Sequence, residues 1–177
     1  MYALTVLFGL MAAASASKPL RYTVPNNFKA VASNCTLPAE FVVTNFTTST
    51  NKNGTLDTVC FQFSDPDTEI RTTCQRNSTS VASGPSKNRY GCDNANIAFI
   101  YQTTGIAGLT LTERACPGGS SPQFEASGLI TPELNCTDTP TGTICHTEQK
   151  SLQGDFNSFQ PIPSKAPIRR HRGTWRG

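Results

Sequence analysis

Apolar and polar positions alternate most regularly over residues 97–111. Ile97, Phe99 and Tyr101 share one parity, and Ala107, Leu109 and Leu111 share it on the return run, with a Gly/Thr turn between them. Successive side chains on a strand point to opposite faces, so the pattern predicts a half-buried β-hairpin. A register that sets Phe99 opposite Leu109 or Leu111 keeps every large apolar group on one face. A slip of one residue would set Phe99 opposite Thr110 and turn half of that face to water.

The rest of the chain repeats this grammar in shorter pieces. Residues 40–47, EFVVTNFT, are β-branched and aromatic and predict a strand, with a polar connection over 48–57. Residues 59–64 and 69–74 predict a second hairpin. Its turn is Asp65-Pro66-Asp67-Thr68, where Pro66 presets φ and Asp65 can accept from the amides that follow. Residues 75–91 form a long Ser/Asn/Gly/Pro loop with a cysteine at each end, which would tether it. A turn over 117–122, a strand over 124–130 and a tight turn between Cys136 and Cys145 complete the list. No stretch carries a sustained 3.6-residue repeat, so the predicted class is all-β, a small disulfide-stapled β-barrel or a sandwich of antiparallel hairpins.

Composition changes the picture at the two ends. Residues 1–16 are apolar and close on Ala14-Ser15-Ala16, the pattern of a secretory signal, and are too short for a membrane span. Residues 17–34 read as an irregular arm broken by Pro19 and Pro25, residues 35–160 as the β domain, and residues 161–177 as a basic, unpacked tail. The net charge of +3 belongs to that tail. Lys165, Arg169, Arg170, Arg172 and Arg176 fall in the last thirteen residues, whereas residues 17–164 hold ten basic and twelve acidic residues and carry −2. No basic face is left on the domain, which speaks against nucleic acid as a partner.

Cys35, Cys60, Cys74, Cys92, Cys116, Cys136 and Cys145 lack the close pairs a zinc site needs, and behind a secretory signal they read as a disulfide framework with one thiol over. Sequons open at Asn34, Asn45, Asn53, Asn77 and Asn135, as in a glycosylated extracellular surface. Catalytic patterns are thin. There is no G-x-S-x-G and no H-E-x-x-H, and the two histidines are His146, which follows Cys145, and His171 in the tail. Glu113, Glu125, Glu133, Asp93 and Asp138 are candidates for a glycosidase pair, but no spacing singles out two of them. Glu113-Arg114 is the one compact ribonuclease-like pair, and alternation places its members on opposite faces.

Four segments carry a resemblance: NCTLPAEFVVTNF, EIRTTCQRN, YGCDNANIAFIY with GLTLTERAC, and LNCTDTPTGTIC. Together they resemble the fungal major-allergen family typified by the Alternaria allergen, over roughly residues 35–159. The resemblance implies a secreted β-barrel protein associated with allergenicity and with eliciting or suppressing plant defence, and without established enzymatic residues. It implies bridges Cys74–Cys92 and Cys136–Cys145, and it matches the family's early, chain-joining cysteine to Cys35. Cys116 and Cys60 are additional here. Cys116 offers Cys35 a partner within the chain and leaves Cys60 as a free or intermolecular thiol, facing away from Phe61 and Phe63. A rival set, Cys60–Cys74 and Cys92–Cys116 with Cys35 spare, stays open. The expected function is a non-catalytic secreted binding protein acting on a host apoplastic or wall component, without cofactor, metal, nucleic acid or membrane, and able to form a homodimer through the spare thiol. The alternatives are a small secreted hydrolase with a carboxylate site and a structural wall glycoprotein.

Overall fold

A computed structural model describes residues 19–29, 35–83, 87–117 and 123–162. Residues 1–16, where the sequence predicts a secretory signal, the sequon at Asn34, residues 118–122 and residues 163–177, including His171, lie outside them. The described elements are one short helix, α1 (Asn26–Lys29), and eleven strands: β1 (Glu40–Asn51), β2 (Leu56–Ser64), β3 (Arg71–Arg76), β4 (Tyr90–Gly91), β5 (Ile97–Gln102), β6 (Gly108–Ala115), β7 (Phe124–Ile130), β8 (Leu134–Thr139), β9 (Gly142–Thr147), β10 (Ser151–Asp155) and β11 (Ser158–Pro161). None of the described helices is long and apolar enough to cross a membrane.

Of barrel and sandwich, the strands build the sandwich. One antiparallel sheet runs β3-β2-β1-β9-β8, with β10 also on β1, and the other runs β11-β7-β6-β5-β4. Neither sheet closes on itself. The central hairpin has the expected register, Phe99 opposite Leu111 and Tyr101 opposite Leu109. The inner faces meet in one core. Phe41, Val43, Phe46, Val59, Phe61 and Phe63 come from the first sheet and Ile97, Phe99, Leu109 and Leu111 from the second. Phe61 and Phe99 meet edge to face across the layers, with ring centres 5.0 Å apart, a geometry worth about 1 kcal/mol beyond its burial.

Several elements depart from the sequence reading. The first strand does not stop at 47. It bulges at Asn45, φ 55°, and continues to Asn51, because Thr48 is buried and Ser49 shares a 2.7 Å hydroxyl hydrogen bond with Thr58 on β2. Polar β-branched residues thus complete a ladder that hydropathy alone reads as a connection. The irregular arm packs on the domain through its described residues. After Pro25, α1 places Phe28 on Phe124 and Phe159, and Tyr22 stacks on Phe159. The sheet also outlasts residue 160, since β11 includes Pro161 and the Ile162 amide donates to the Gln123 carbonyl. Strands β10 and β11, SLQGD and SFQP, carry no clear alternating signature.

Three disulfides staple these layers: Cys35–Cys116, Cys74–Cys92 and Cys136–Cys145. The first ties the chain before β1 to the end of β6. The second joins β3 to the end of β4, one strand from each sheet. The third crosses the β8–β9 hairpin, where the two cysteines face in register. Cys60 is unpaired and exposed, on the face of β2 opposite Phe61 and Phe63.

Candidate functional site

Two inward rows of side chains end in carboxylates. On β2 the row Val59, Phe61, Phe63 continues to Asp65, and on β6 the row Leu109, Leu111 continues to Glu113. Strand parity therefore drives both acids into the sandwich, where each is only 1% exposed. The β2–β3 turn brings them together. Asp65 accepts through Oδ1 from the amides of Asp67 (2.6 Å) and Thr68 (3.1 Å), and its own amide donates to the Ile70 carbonyl. The turned Thr68 hydroxyl donates to Glu113 Oε1 at 2.7 Å. Asp65 Oδ2 and Glu113 Oε2 are buried and meet no donor, so the two carboxyls share one pocket with an oxygen each left unpartnered.

Two carboxyls in that position cannot both carry charge. Burial, and then the charge of Asp65, push the Glu113 carboxyl up to about 8, so at neutral pH it holds its proton. Burial likewise holds Asp65 above its ordinary range, against the two turn amides that pull it down. Tyr22 closes the group from the arm. Its hydroxyl donates to the Pro38 carbonyl at 2.6 Å, and burial followed by the charges of Asp65 and Glu113 raises it above the usual phenol range.

Beside this pair lies a cavity of about 470 Å³, walled by turn residues Asp67–Ile70, by Glu113 and Arg114 of β6, and by the Cys35–Cys116 bridge. Two of the three described non-glycine residues with positive φ, Glu69 at 59° and Cys116 at 48°, stand in its wall. Such backbone costs roughly 1–3 kcal/mol per residue and collects at functional positions. Buried acids, strained backbone and a disulfide on one cavity make it the candidate site.

The other candidate acids are dispersed. Glu125 forms a two-pronged ion pair with Arg89 at 2.7 and 2.8 Å. Asp138 accepts from the Thr143 hydroxyl, Asp93 is exposed, and Glu133 lies beside Asn135 and Glu148 at another cavity. His146 is exposed between Thr47 and Asn135 in the strand register. Arg114 is exposed while Glu113 is buried, the opposite-face arrangement that alternation predicts. Among the described residues no group of three potential metal ligands converges. The sequon asparagines Asn45, Asn53 and Asn135 are exposed, and Asn77 accepts through Oδ1 from the Thr79 hydroxyl at 2.8 Å.

Asp65 was legible only as a turn residue. Its partnership with Glu113 spans 48 positions of sequence, and the available signal was that both acids continue rows of apolar residues on the same parity.

No family model and no curated protein matches the chain. Two crystal structures of the Alternaria alternata allergen Alt a 1 are similar to it. One is 14% identical with a TM-score of 0.52, over 71% of this chain and 92% of the allergen. The other is 13% identical with a TM-score of 0.50, over 71% of this chain and 95% of the allergen. The chain therefore has the fold of the Alternaria major allergen.

Proposed function

We propose that this is a secreted, non-catalytic binding protein of the allergen-like fungal kind, acting on a host apoplastic or wall component and receiving a polar group of that partner in the cavity beneath the β2–β3 turn. One observation carries the choice over a hydrolase. The buried pair of carboxyls, Asp65 and Glu113, spends one oxygen on the turn amides and one on Thr68. Their remaining oxygens, Asp65 Oδ2 and Glu113 Oε2, are buried from solvent, whereas a glycosidase needs two carboxyls that can reach a bond and a water. The three disulfides and the allergen fold support an extracellular setting.

The test is a panel of glycoside, ester, peptide and phosphodiester substrates run beside a capture experiment on apoplastic and wall fractions, both with disulfide-verified protein. No turnover and a saturable partner are expected. Turnover that disappears in Glu113→Gln would establish the hydrolase instead, and retention of the protein in the wall fraction without any partner would favour the structural glycoprotein.

A further inference from the structure

The Asp65–Glu113 pair joins two elements that the backbone does not join. The turn has no strand pairing to β6: its described hydrogen bond there is the Thr68 hydroxyl on Glu113 Oε1, and beside it Asp65 Oδ2 and Glu113 Oε2 are buried without a donor, an arrangement that a single proton between them would satisfy. Asp65 Oδ1 in turn holds the Asp67 and Thr68 amides, so the conformation of the turn and its seat on β6 depend on the same two acids. The turn is also one wall of the 470 Å³ cavity, and it carries the positive-φ residue Glu69.

We propose that the Asp65–Glu113 carboxyl pair is a proton-operated latch that seats the β2–β3 turn on β6 when protonated and frees that wall of the cavity when its proton leaves. The step is a single ionisation. The O–H bond of the protonated carboxyl breaks and its proton passes to water, no bond between heavy atoms changes, and two buried carboxylates are left facing each other. Asp67, whose charge also bears on Glu113, adds repulsion of the same sign. From the arm, Tyr22 stays neutral over this range and offers no compensating charge. Glu69 in the cavity wall is a further acid, and Arg114 there is exposed, on the opposite face of β6 from the pair. Solvation of the new charges therefore requires the turn to lift.

The latch acts on the cavity assigned above to the partner, but it is read on the protein alone, so its failure would leave the binding reading standing. The experiment is amide exchange on the full, oxidised protein from pH 6 to pH 9, expressed as protection factors so that the intrinsic pH dependence is removed. Protection of the Asp65, Asp67 and Thr68 amides should fall at least tenfold across the range, while Leu111 and Thr112 in β6 stay level. Glu113→Gln, a neutral side chain that still donates to Asp65 and accepts from Thr68, should hold the turn protected throughout. Thr68→Val provides an independent arm: it removes the hydroxyl attachment to Glu113 together with the donor that favours its ionised form, so protection at pH 6 should drop while the remaining fall moves to higher pH. Level protection in the natural protein, an unchanged fall in Glu113→Gln, or a fall that does not move in Thr68→Val would each overturn the latch.

Discussion

Glu113 lies at the end of an apolar row, at a place where a leucine would cost nothing in desolvation. Its presence makes stability depend on pH in a direction opposite to that of a surface salt bridge. The folded chain holds the Glu113 proton up to about pH 8, whereas an unfolded chain releases it near 4.5. Between those values the native state binds more protons than the unfolded one, so stability is greatest below about pH 4.5 as far as this residue is concerned. It falls as pH rises and levels off above about 8, by at most about 1.4 kcal/mol per pH unit. Denaturant titrations at pH 5 and pH 8 should show that loss, and Glu113→Gln should flatten it; a midpoint that rises toward pH 8 would contradict the burial of this acid. Cys60 makes the complementary case. It is exposed and unpaired, so Cys60→Ser should alter stability by less than about 0.5 kcal/mol, the usual limit for surface changes. If oxidised protein runs as a dimer on a non-reducing gel, the same substitution should abolish that band. Cys35→Ser should instead lose roughly 4 kcal/mol, because Cys35–Cys116 closes a span of 81 positions. A dimer that survives Cys60→Ser and vanishes in Cys35→Ser would reverse these assignments. Parity, read from the chain alone, already set Cys60 outside and Glu113 opposite Arg114, because alternation is local; the meeting of Glu113 with Asp65 is not, and no local pattern contains it.

Strands with bulky alternation were readable in advance, and strands without it were not. The central hairpin is specified by Ile97, Phe99, Leu109 and Leu111, which leave one register that buries them all. In β10, Ser151–Asp155, Leu152 is the only large apolar side chain, and β11 is four residues ending in proline. These strands are held by their neighbours. β10 lies on the first half of β1 because β9 has taken the second half, and Phe156 just beyond it is fully buried against Phe41. The close approach of the two layers here needs two glycines. A Cβ on Gly154 would run into the Phe41 ring and Ile130, and one on Gly128 would meet the Asp155 carbonyl and the same ring. Neither φ is unusual, so the requirement is for space. Gly154→Ala should therefore destabilise by about 1–3 kcal/mol, the range for overpacking a core, and Gly128→Ala by at least as much since it meets backbone. Gly91, whose Cβ would meet nothing, supplies the control and should tolerate alanine within about 0.5 kcal/mol. Equal effects at all three positions would mean that the layers can separate without cost.

At the level of the whole molecule, two open sheets share one aromatic core, and the covalent links differ in what they secure. Cys136–Cys145 lies within one hairpin, whereas Cys74–Cys92 runs from the edge strand of the first sheet to the edge strand of the second. The Cys92 amide also donates to the Ile97 carbonyl and the Asp93 amide to the Thr73 carbonyl, so the bridge sits in a short run of backbone bonds that closes one side of the sandwich. The opposite side is closed by the glycine-mediated approach of β7 to β10. Spacing alone left the seven cysteines open to rival pairings, but sheet order decides among them. Cys60 and Cys74 lie on adjacent strands, yet their positions are offset by one, Cys60 facing Gln75 and Phe61 facing Cys74, and their side chains leave opposite faces. Breaking Cys74–Cys92 should then have two separable effects. The first is loss of a closed loop spanning 18 positions, worth roughly 3 kcal/mol whatever the bridge joins. The second is local: without the link, β4 and the residues 87–89 before it lose their hold on β3, while β5–β6–β7 retain their own ladder. Cys74→Ala with Cys92→Ala should lower stability by that amount and raise amide exchange in β4 and at Asp93 and Asn94, leaving the centre of β6 protected. The corresponding pair of substitutions at Cys136 and Cys145 closes only 9 positions in a single hairpin, so it should cost less and loosen only β8 and β9. If both double variants loosened the same strands, the sandwich would be unfolding as a single unit, and the division of labour between the bridges would be wrong.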